Sequence, residues 1–214
     1  MQQRSEQRQD ATAARDALLS FDTATLFESA ARPGTMDSGI RPVDTGYRIA
    51  GTALTVACPP GDNLMLHAAV ADARPGEILV VQCHDASFGV WGEVLMTSAM
   101  AQGIAGLIID GSVRDVDALR AARFPVFSRG LALKGAVKAR RGLLRQPISC
   151  GSLLVWPGDM VVADDSGIVV LVPEEVEATI AKARQRQQKE ADVMGKLRER
   201  QTTLDLFNLR KLLT

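Results

Sequence analysis

The chain has 214 residues, 46% of them apolar and 23% charged, enough for one sizeable core and short for two full domains. Lys plus Arg and Asp plus Glu each total 25, so the net charge is zero; the basic excess of a generic polyanion binder is absent and no nucleic-acid partner is expected. No apolar run approaches the roughly 20 residues that span a bilayer, the polar N-terminus lacks the apolar core of a secretory signal, and three widely spaced cysteines without a CxxC argue against a disulfide framework or zinc site, so a cytoplasmic location is expected.

Residues 1–31 read as helical, with Leu18, Leu19 and Phe21 on the apolar face and Asp22 or Thr23 capping a second short helix that Arg32-Pro33-Gly34 ends. A loop follows over 35–46. Ile49–Ala57 reads as a strand stopped by Pro59-Pro60-Gly61, and Asp62 or Asn63 can cap a helix through Ala73. Residues 78–81 form a continuous apolar run typical of a buried strand. A loop over 83–91 leads to a helix over 92–102, with Gly103 just past its end. Residues 106–109 form another buried strand, 110–114 a loop, 115–122 a helix and 125–128 a strand. This alternation implies parallel strands with right-handed crossovers.

Beyond Gly130 the pattern is strand-only: 137–139, 148–150, 153–155, 160–163 and 168–172, with Asp164-Asp165-Ser166-Gly167 as a hairpin turn. Residues 173–200 read as one long charged helix and 203–214 as a short amphipathic one. The chain therefore divides into an N-terminal helical segment and loop (1–46), an α/β catalytic core (47–173) and a C-terminal helical extension (174–214).

Two loops lie at the carboxyl ends of consecutive parallel strands, the edge where open α/β sheets bind ligands. One leads into Gly92 and Glu93; the other is Asp110-Gly111-Ser112-Val113-Arg114-Asp115. First-turn amides at Glu93, Val94 and Leu95 suit a carboxylate. Arg114 offers a planar two-pronged donor. Asp115 would serve equally as a simple N-cap, and Glu93 as a favourable charge near a helix dipole. Taken together with the glycines, they read as a site. A lone carboxylate with waters suits Mg²⁺ or Mn²⁺. With two histidines, His67 and His84, and no G-x-S-x-G, a serine triad is disfavoured.

The phrases GDNLMLHAA (61–69), WGEVL (91–95), GLIIDGSVRDVDAL (106–119), FPVF (124–127) and PGDMVVADDSGIVVLVP (157–173) make the chain similar to the RraA-like superfamily. Within it, the chain most resembles the 4-hydroxy-4-methyl-2-oxoglutarate / 4-carboxy-4-hydroxy-2-oxoadipate aldolases, class II pyruvate aldolases that also decarboxylate oxaloacetate. The resemblance spans roughly residues 20–200, and G-x-x-R-D with an upstream G-E is its discriminating part.

The resemblance implies an α/β fold, a β/β/α swivelling-domain sandwich with N-terminal helices and a long C-terminal helix, assembled as a homotrimer or homohexamer. Asp115 would ligate the divalent metal, Mg²⁺ or Mn²⁺, and Glu93 would hold it through water. Arg114 would contact the keto or enolate oxygen of a small 2-oxo acid, and the Gly92–Leu95 turn would hold its carboxylate through the Val94 and Leu95 amides. A glutamate from a neighbouring subunit's C-terminal helix, best matched by Glu190, would complete the site through water.

A water polarised by Glu93 is the expected base for the C4 hydroxyl. The alternative reading from the same superfamily is a regulator that binds and inhibits ribonuclease E. A methyltransferase is disfavoured because no glycine-rich loop follows the first strand. No lysine is expected in the site loops, hence no Schiff base. His67, Cys83, Asp164 and Asp165 read as structural, and Trp91 as a wall or floor of the site; His84, in the loop before the site helix, could reach substrate, but Glu93 and Arg114 already account for the site.

Overall fold

The computed structural model describes residues 13–31, 34–83 and 85–213; the helix expected over 1–12, the Arg32-Pro33 stop and His84 lie outside them. The chain starts with helical residues 13–18 (α1), α2 (Thr23–Ser29), β1 (Gly34–Thr35), β2 (Arg41–Pro42), β3 (Ile49–Ala57) and α3 (Leu64–Asp72). It continues through β4 (Ile78–Gln82), β5 (Gly89–Trp91), α4 (Glu93–Ala101), β6 (Gly106–Val113), α5 (Val116–Ala121) and β7 (Val126–Leu131). The strand-rich half holds β8 (Leu143–Leu144), β9 (Ile148–Cys150), β10 (Leu153–Val155), β11 (Met160–Asp164) and β12 (Gly167–Leu171). A 3-10 turn, Pro173–Glu175, leads into α6 (Val176–Arg198), and α7 (Thr203–Leu206) follows.

One sheet runs in the order β1-β12-β11-β3-β4-β6-β7-β2, with β5 added to β6 and β8 to β3. The α/β expectation holds, and the central strands β3, β4, β6 and β7 pair in parallel. β3 belongs to two regimes. Its first half pairs antiparallel with β11, from Ile49 opposite Ala163 to Thr52 opposite Met160. Its second half pairs in parallel with β4, from Ala53 opposite Ile78 to Ala57 opposite Gln82. The change of partner falls beside Gly51, where a Cβ would collide with the Gly76 carbonyl.

Burial follows from this layering. Every residue of β6 is buried, as an apolar strand covered on both faces should be. One core lies under α3, α4 and α5, with Leu66, Leu95, Leu107 and Leu119. A second lies between the sheet and the β9–β10 hairpin, with Ile78, Ile108, Phe127 and Val155. A third packs Leu18, Phe21, Leu26 and Ile180 against Val162 and Leu171.

Several expectations are corrected. The 110–114 loop is mostly strand, because β6 continues to Val113. The 83–91 loop contains β5, and the 35–46 loop contains β2. Residues 137–139 form no strand; Val137 makes only an isolated bridge to Asp62. The 203–214 helix is broken at Asn208, whose φ of 56° is left-handed. Asp164 does more than turn the chain. Its carboxylate accepts from the Thr23 amide at 2.9 Å and the Thr23 hydroxyl at 2.7 Å, tying the start of α2 to the β11–β12 hairpin.

The long C-terminal helix is present and leaves the body. Its buried residues are Val176, Thr179, Ile180 and Ala183, all in its first third. Among the described residues, no helix is long and apolar enough to cross a membrane.

Candidate active site

Strand β5 builds the site. It pairs in parallel with the end of β6, Gly89 opposite Ser112 and Trp91 opposite Val113. The Arg114 amide then donates to the Trp91 carbonyl at 2.8 Å. This pairing sets the start of α4 directly beside Arg114 and Asp115. Sequence reasoning missed β5; its signal was the short run Gly89-Val90-Trp91, buried throughout. Trp91 is fully buried and stacks on Phe124 at 6.1 Å between centroids, so it is the floor under the site.

Asp115 occupies the N-cap position of α5 but makes no side-chain cap there. Its backbone is left-handed at φ 56°, which aims the carboxylate away from its own helix. Oδ2 instead accepts from the Glu93 amide of α4 at 3.1 Å and lies 3.6 Å from Arg114 Nε. Asp115 therefore does not cap its own helix; its carboxylate meets the first amide of α4 instead. The Glu93 side chain is exposed at the same helix end, and the Val94 and Leu95 amides have no acceptor within the helix.

Glycines make room for this contact. A Cβ at Gly92 would run into Asp115 Oδ2 and stand 3.1 Å from Arg114 Cγ. A Cβ at Gly89 would stand 2.9 Å from Arg114 Cβ, and one at Gly135 would stand 3.2 Å from Arg114 Nη1. The arginine thus lies in a slot lined by three glycines. Gly92→Ala is expected to lower turnover about a hundredfold by displacing the carboxylate, while circular dichroism stays unchanged; wild-type turnover in that variant would mean that the Asp115–Glu93 contact is unimportant.

Arg114 and Asp115 separate two cavities. One, of about 160 Å³, is lined by Asn63, His67, Gly92, Val94, Leu95 and Lys138 besides the pair itself. The other, of about 370 Å³, is lined by Asp117, Leu131 and Leu133. Leu131 and Leu133 are 61% and 94% exposed, an apolar edge beside charged groups. Three polar residues of the smaller cavity, Asn63, His67 and Lys138, escaped the sequence reading. His67 is not simply a packed residue, and Lys138, placed outside the site by loop position, lines it. Asp62 explains why. Fully buried, it accepts from the Leu64 amide at the start of α3 and from the Ala139 and Arg140 amides at 2.9 and 2.8 Å. That carboxylate fixes Asn63, His67 and Lys138 in one body.

The Leu64 amide and the other two donors hold the Asp62 carboxyl below its ordinary range. The folded form therefore gains from ionised Asp62 above that range, and the gain is lost as pH falls through the lowered pKa. Asp62→Ala is expected to lower Tm by about 5 °C or more at neutral pH, because three amides lose their acceptor; a Tm within a degree of wild type would remove Asp62 from this role. Cys83 is buried, and a hydrogen bond with Cys58, then burial, raises its pKa above the ordinary thiol value, which disfavours the thiolate.

Among the described residues no group of three metal-binding side chains occurs. A zinc-type cage is therefore not built here. One exposed carboxylate at Asp115, with Glu93 beside it, fits a hard cation that keeps most of its waters, such as Mg²⁺ or Mn²⁺. Glu190 is not brought into the site within one chain. It pairs with Arg186 at 2.8 Å on the projecting part of α6, and Arg186 also pairs with Glu28.

The family profile described as RraA-like, Aldolase/RraA, matches residues 14–170. A Halalkalibacterium halodurans protein with the provisional name 4-hydroxy-4-methyl-2-oxoglutarate aldolase is 34% identical over 153 residues, 71% of this chain and 73% of the relative. Among solved structures, Streptomyces coelicolor RraAS2, described as an unusual member of the RNase ES inhibitor RraA family, superposes with a TM-score of 0.77 at 26% identity. The match covers 85% of this chain and 96% of that one. An uncharacterised Pseudomonas syringae protein gives a TM-score of 0.74 at 26% identity, over 90% and 95% of the two chains. Sheet, projecting helix and profile agree, and the chain belongs to the RraA-like Aldolase/RraA family.

Proposed function

We propose that the protein is a carbon–carbon lyase acting on 2-oxo acids. The cleavage substrate is 4-hydroxy-4-methyl-2-oxoglutarate or 4-carboxy-4-hydroxy-2-oxoadipate, and oxaloacetate is decarboxylated at the same site. The observation that carries this reading is the Asp115 carboxylate, turned from its own helix to the amino end of α4 and flanked by Arg114.

The Val94 and Leu95 amides would take the pyruvyl carboxylate, using the partial positive charge of the helix end. Arg114 would donate to the keto oxygen, and this contact strengthens as enolate charge develops. A divalent cation held by Asp115 would supply Lewis acidity toward the same oxygen. In cleavage, the C4 hydroxyl proton leaves to a water oriented by Glu93, the C3–C4 bond breaks, and its electron pair enters the enolate. Protonation at C3 gives pyruvate; the other fragment is a second 2-oxo acid. In oxaloacetate the same bond breaks with loss of CO₂, and no hydroxyl proton need move.

The site is completed in this reading by a neighbouring copy, in a trimer or hexamer, whose projecting α6 supplies Glu190. Reassembling mixed oligomers from inactive Asp115→Asn and Glu190→Gln subunits is expected to restore part of the activity, since some sites then hold both native residues. Mixed oligomers without recovery would refute sharing.

The test of the function is pyruvate release from oxaloacetate and 4-hydroxy-4-methyl-2-oxoglutarate, with and without EDTA. Chelator-sensitive release from both is expected. The likeness to RraAS2 favours a second reading, a regulator that binds a ribonuclease; it predicts no release from either acid. Borohydride added with pyruvate should leave the mass of the protein unchanged, because Lys138 is exposed rather than desolvated. A stable adduct would move the chemistry to the Schiff-base class.

A further inference from the structure

Strand β6 carries one residue more than its neighbour. Ile109 stands opposite Ser128 and Ser112 opposite Gly130, so β6 bulges against β7 at Asp110-Gly111. The other edge of β6 changes partner over the same two residues. Pairing with β4 ends at Asp110, opposite Gln82, and pairing with β5 begins at Ser112, opposite Gly89. A Cβ at Gly111 would stand 2.9 Å from Cys83 Cβ, so the bulge needs a glycine there. Arg114 and Asp115 follow directly on β6, and the offset introduced at the bulge sets where that pair meets the amino end of α4.

A closed circuit of polar contacts grips this bulge from the side of the β9–β10 hairpin. Asp110 is buried; its Oδ1 accepts from Arg129 Nε of β7 at 2.5 Å and its Oδ2 from the Gly151 amide at 2.9 Å. The Gly151 carbonyl accepts from the Asp37 amide at 2.8 Å, and Asp37 Oδ1 accepts from Arg129 Nη1 at 3.3 Å, which closes the circuit. None of Asp37, Asp110 and Arg129 lines either cavity beside Arg114. A buried ion pair adds little net stability over apolar residues of the same volume, and its best-attested use is to fix register. We propose that Asp110 and Arg129 are positioning residues: by holding the β6 bulge in register they set Arg114 and Asp115 against the first turn of α4. The catalytic consequence rests on the lyase reading, whereas the geometric one does not.

The experiment compares Arg129→Met with Arg145→Met in the full chain. Arg145 pairs as closely, with Asp72 at 2.6 Å and Glu77 at 2.8 Å, but between the end of α3 and the start of β4, away from the bulge. It therefore reports the loss of an ion pair alone. Deuterium exchange without ligand, read by mass spectrometry, should quicken about tenfold over residues 110–117 in Arg129→Met and stay near wild type there in Arg145→Met. Residues 160–171 should exchange as in wild type in Arg129→Met, which separates a released bulge from general loosening. The kcat for oxaloacetate should fall about tenfold or more in Arg129→Met, because an ångström of displacement at the pair suffices for that. Arg129→Lys, which can still reach Asp110, should regain part of it. Equal exchange over 110–117 in the two methionine variants would overturn the proposal, as would quickened exchange with wild-type kcat. Should Arg129→Met not fold, Asp110→Asn takes its place, since it keeps an acceptor for Gly151 and removes the charge that holds Arg129. Should wild type release no pyruvate, the lyase reading fails separately, and exchange over 110–117 still decides whether the ion pair holds the bulge.

Discussion

Asp115→Asn is expected to lower oxaloacetate and hydroxy-acid turnover about a thousandfold while the fold survives. The structure makes this a clean substitution. The residue sits at φ 56°, a conformation that asparagine tolerates better than almost any other side chain. Its amide oxygen can still accept from the Glu93 amide, so the junction between α4 and α5 keeps its hydrogen bond. Only the negative charge is removed. Melting temperature and oligomer size should match wild type, and Mg²⁺ or Mn²⁺ affinity, measured by calorimetry without substrate, should fall with turnover. A variant that turns over at the wild-type rate with ordinary metal would reduce Asp115 to a backbone fixture.

The second large effect is expected at Arg114. Its lysine replacement keeps the charge and fits the glycine slot, but loses the planar fork. Turnover should fall about a hundredfold, equivalent to ~2.7 kcal/mol of transition-state stabilisation. The loss should appear in kcat with little change in metal affinity, since the contact matters most when the keto oxygen carries enolate charge. A weaker metal constant with unchanged kcat would instead make Arg114 a structural partner of Asp115.

The parts of this site that were legible in the sequence share a cause. Glu93, Arg114 and Asp115 stand next to glycines at strand ends, where residue type and spacing already imply close backbone approach. The continuous apolar runs of β4 and β6 carry the parallel core for the same reason: strands buried on both faces need no alternation. What was illegible depends on partners distant in sequence. β5 is three residues long and exists because β6 continues past Ile109 to receive it. Lys138 belongs to a segment without regular structure, placed by a buried carboxylate 76 positions earlier, at Asp62. Local pattern carries no signal for such a contact. The broken C-terminal helix is similar: the leucine spacing suggested one helix, and the left-handed turn at Asn208 divided it.

The divided pairing of β3 has a consequence for how the chain is made. During synthesis, β3, β4, β6 and β7 can assemble as soon as residue 131 is available, and the candidate site then lacks only its 132–138 wall within this chain. The first half of β3 cannot be covered then, because its partner, β11, arrives only with Met160–Asp164. Until it does, Ile49, Ala50 and Gly51 present an open backbone edge of apolar residues, the kind of surface on which nascent chains pair with one another. A ribosome stalled before residue 160 would thus hold an almost finished site on an aggregation-prone sheet. The β11–β12 hairpin is the step that covers this edge, and its closure across more than a hundred residues should pace folding.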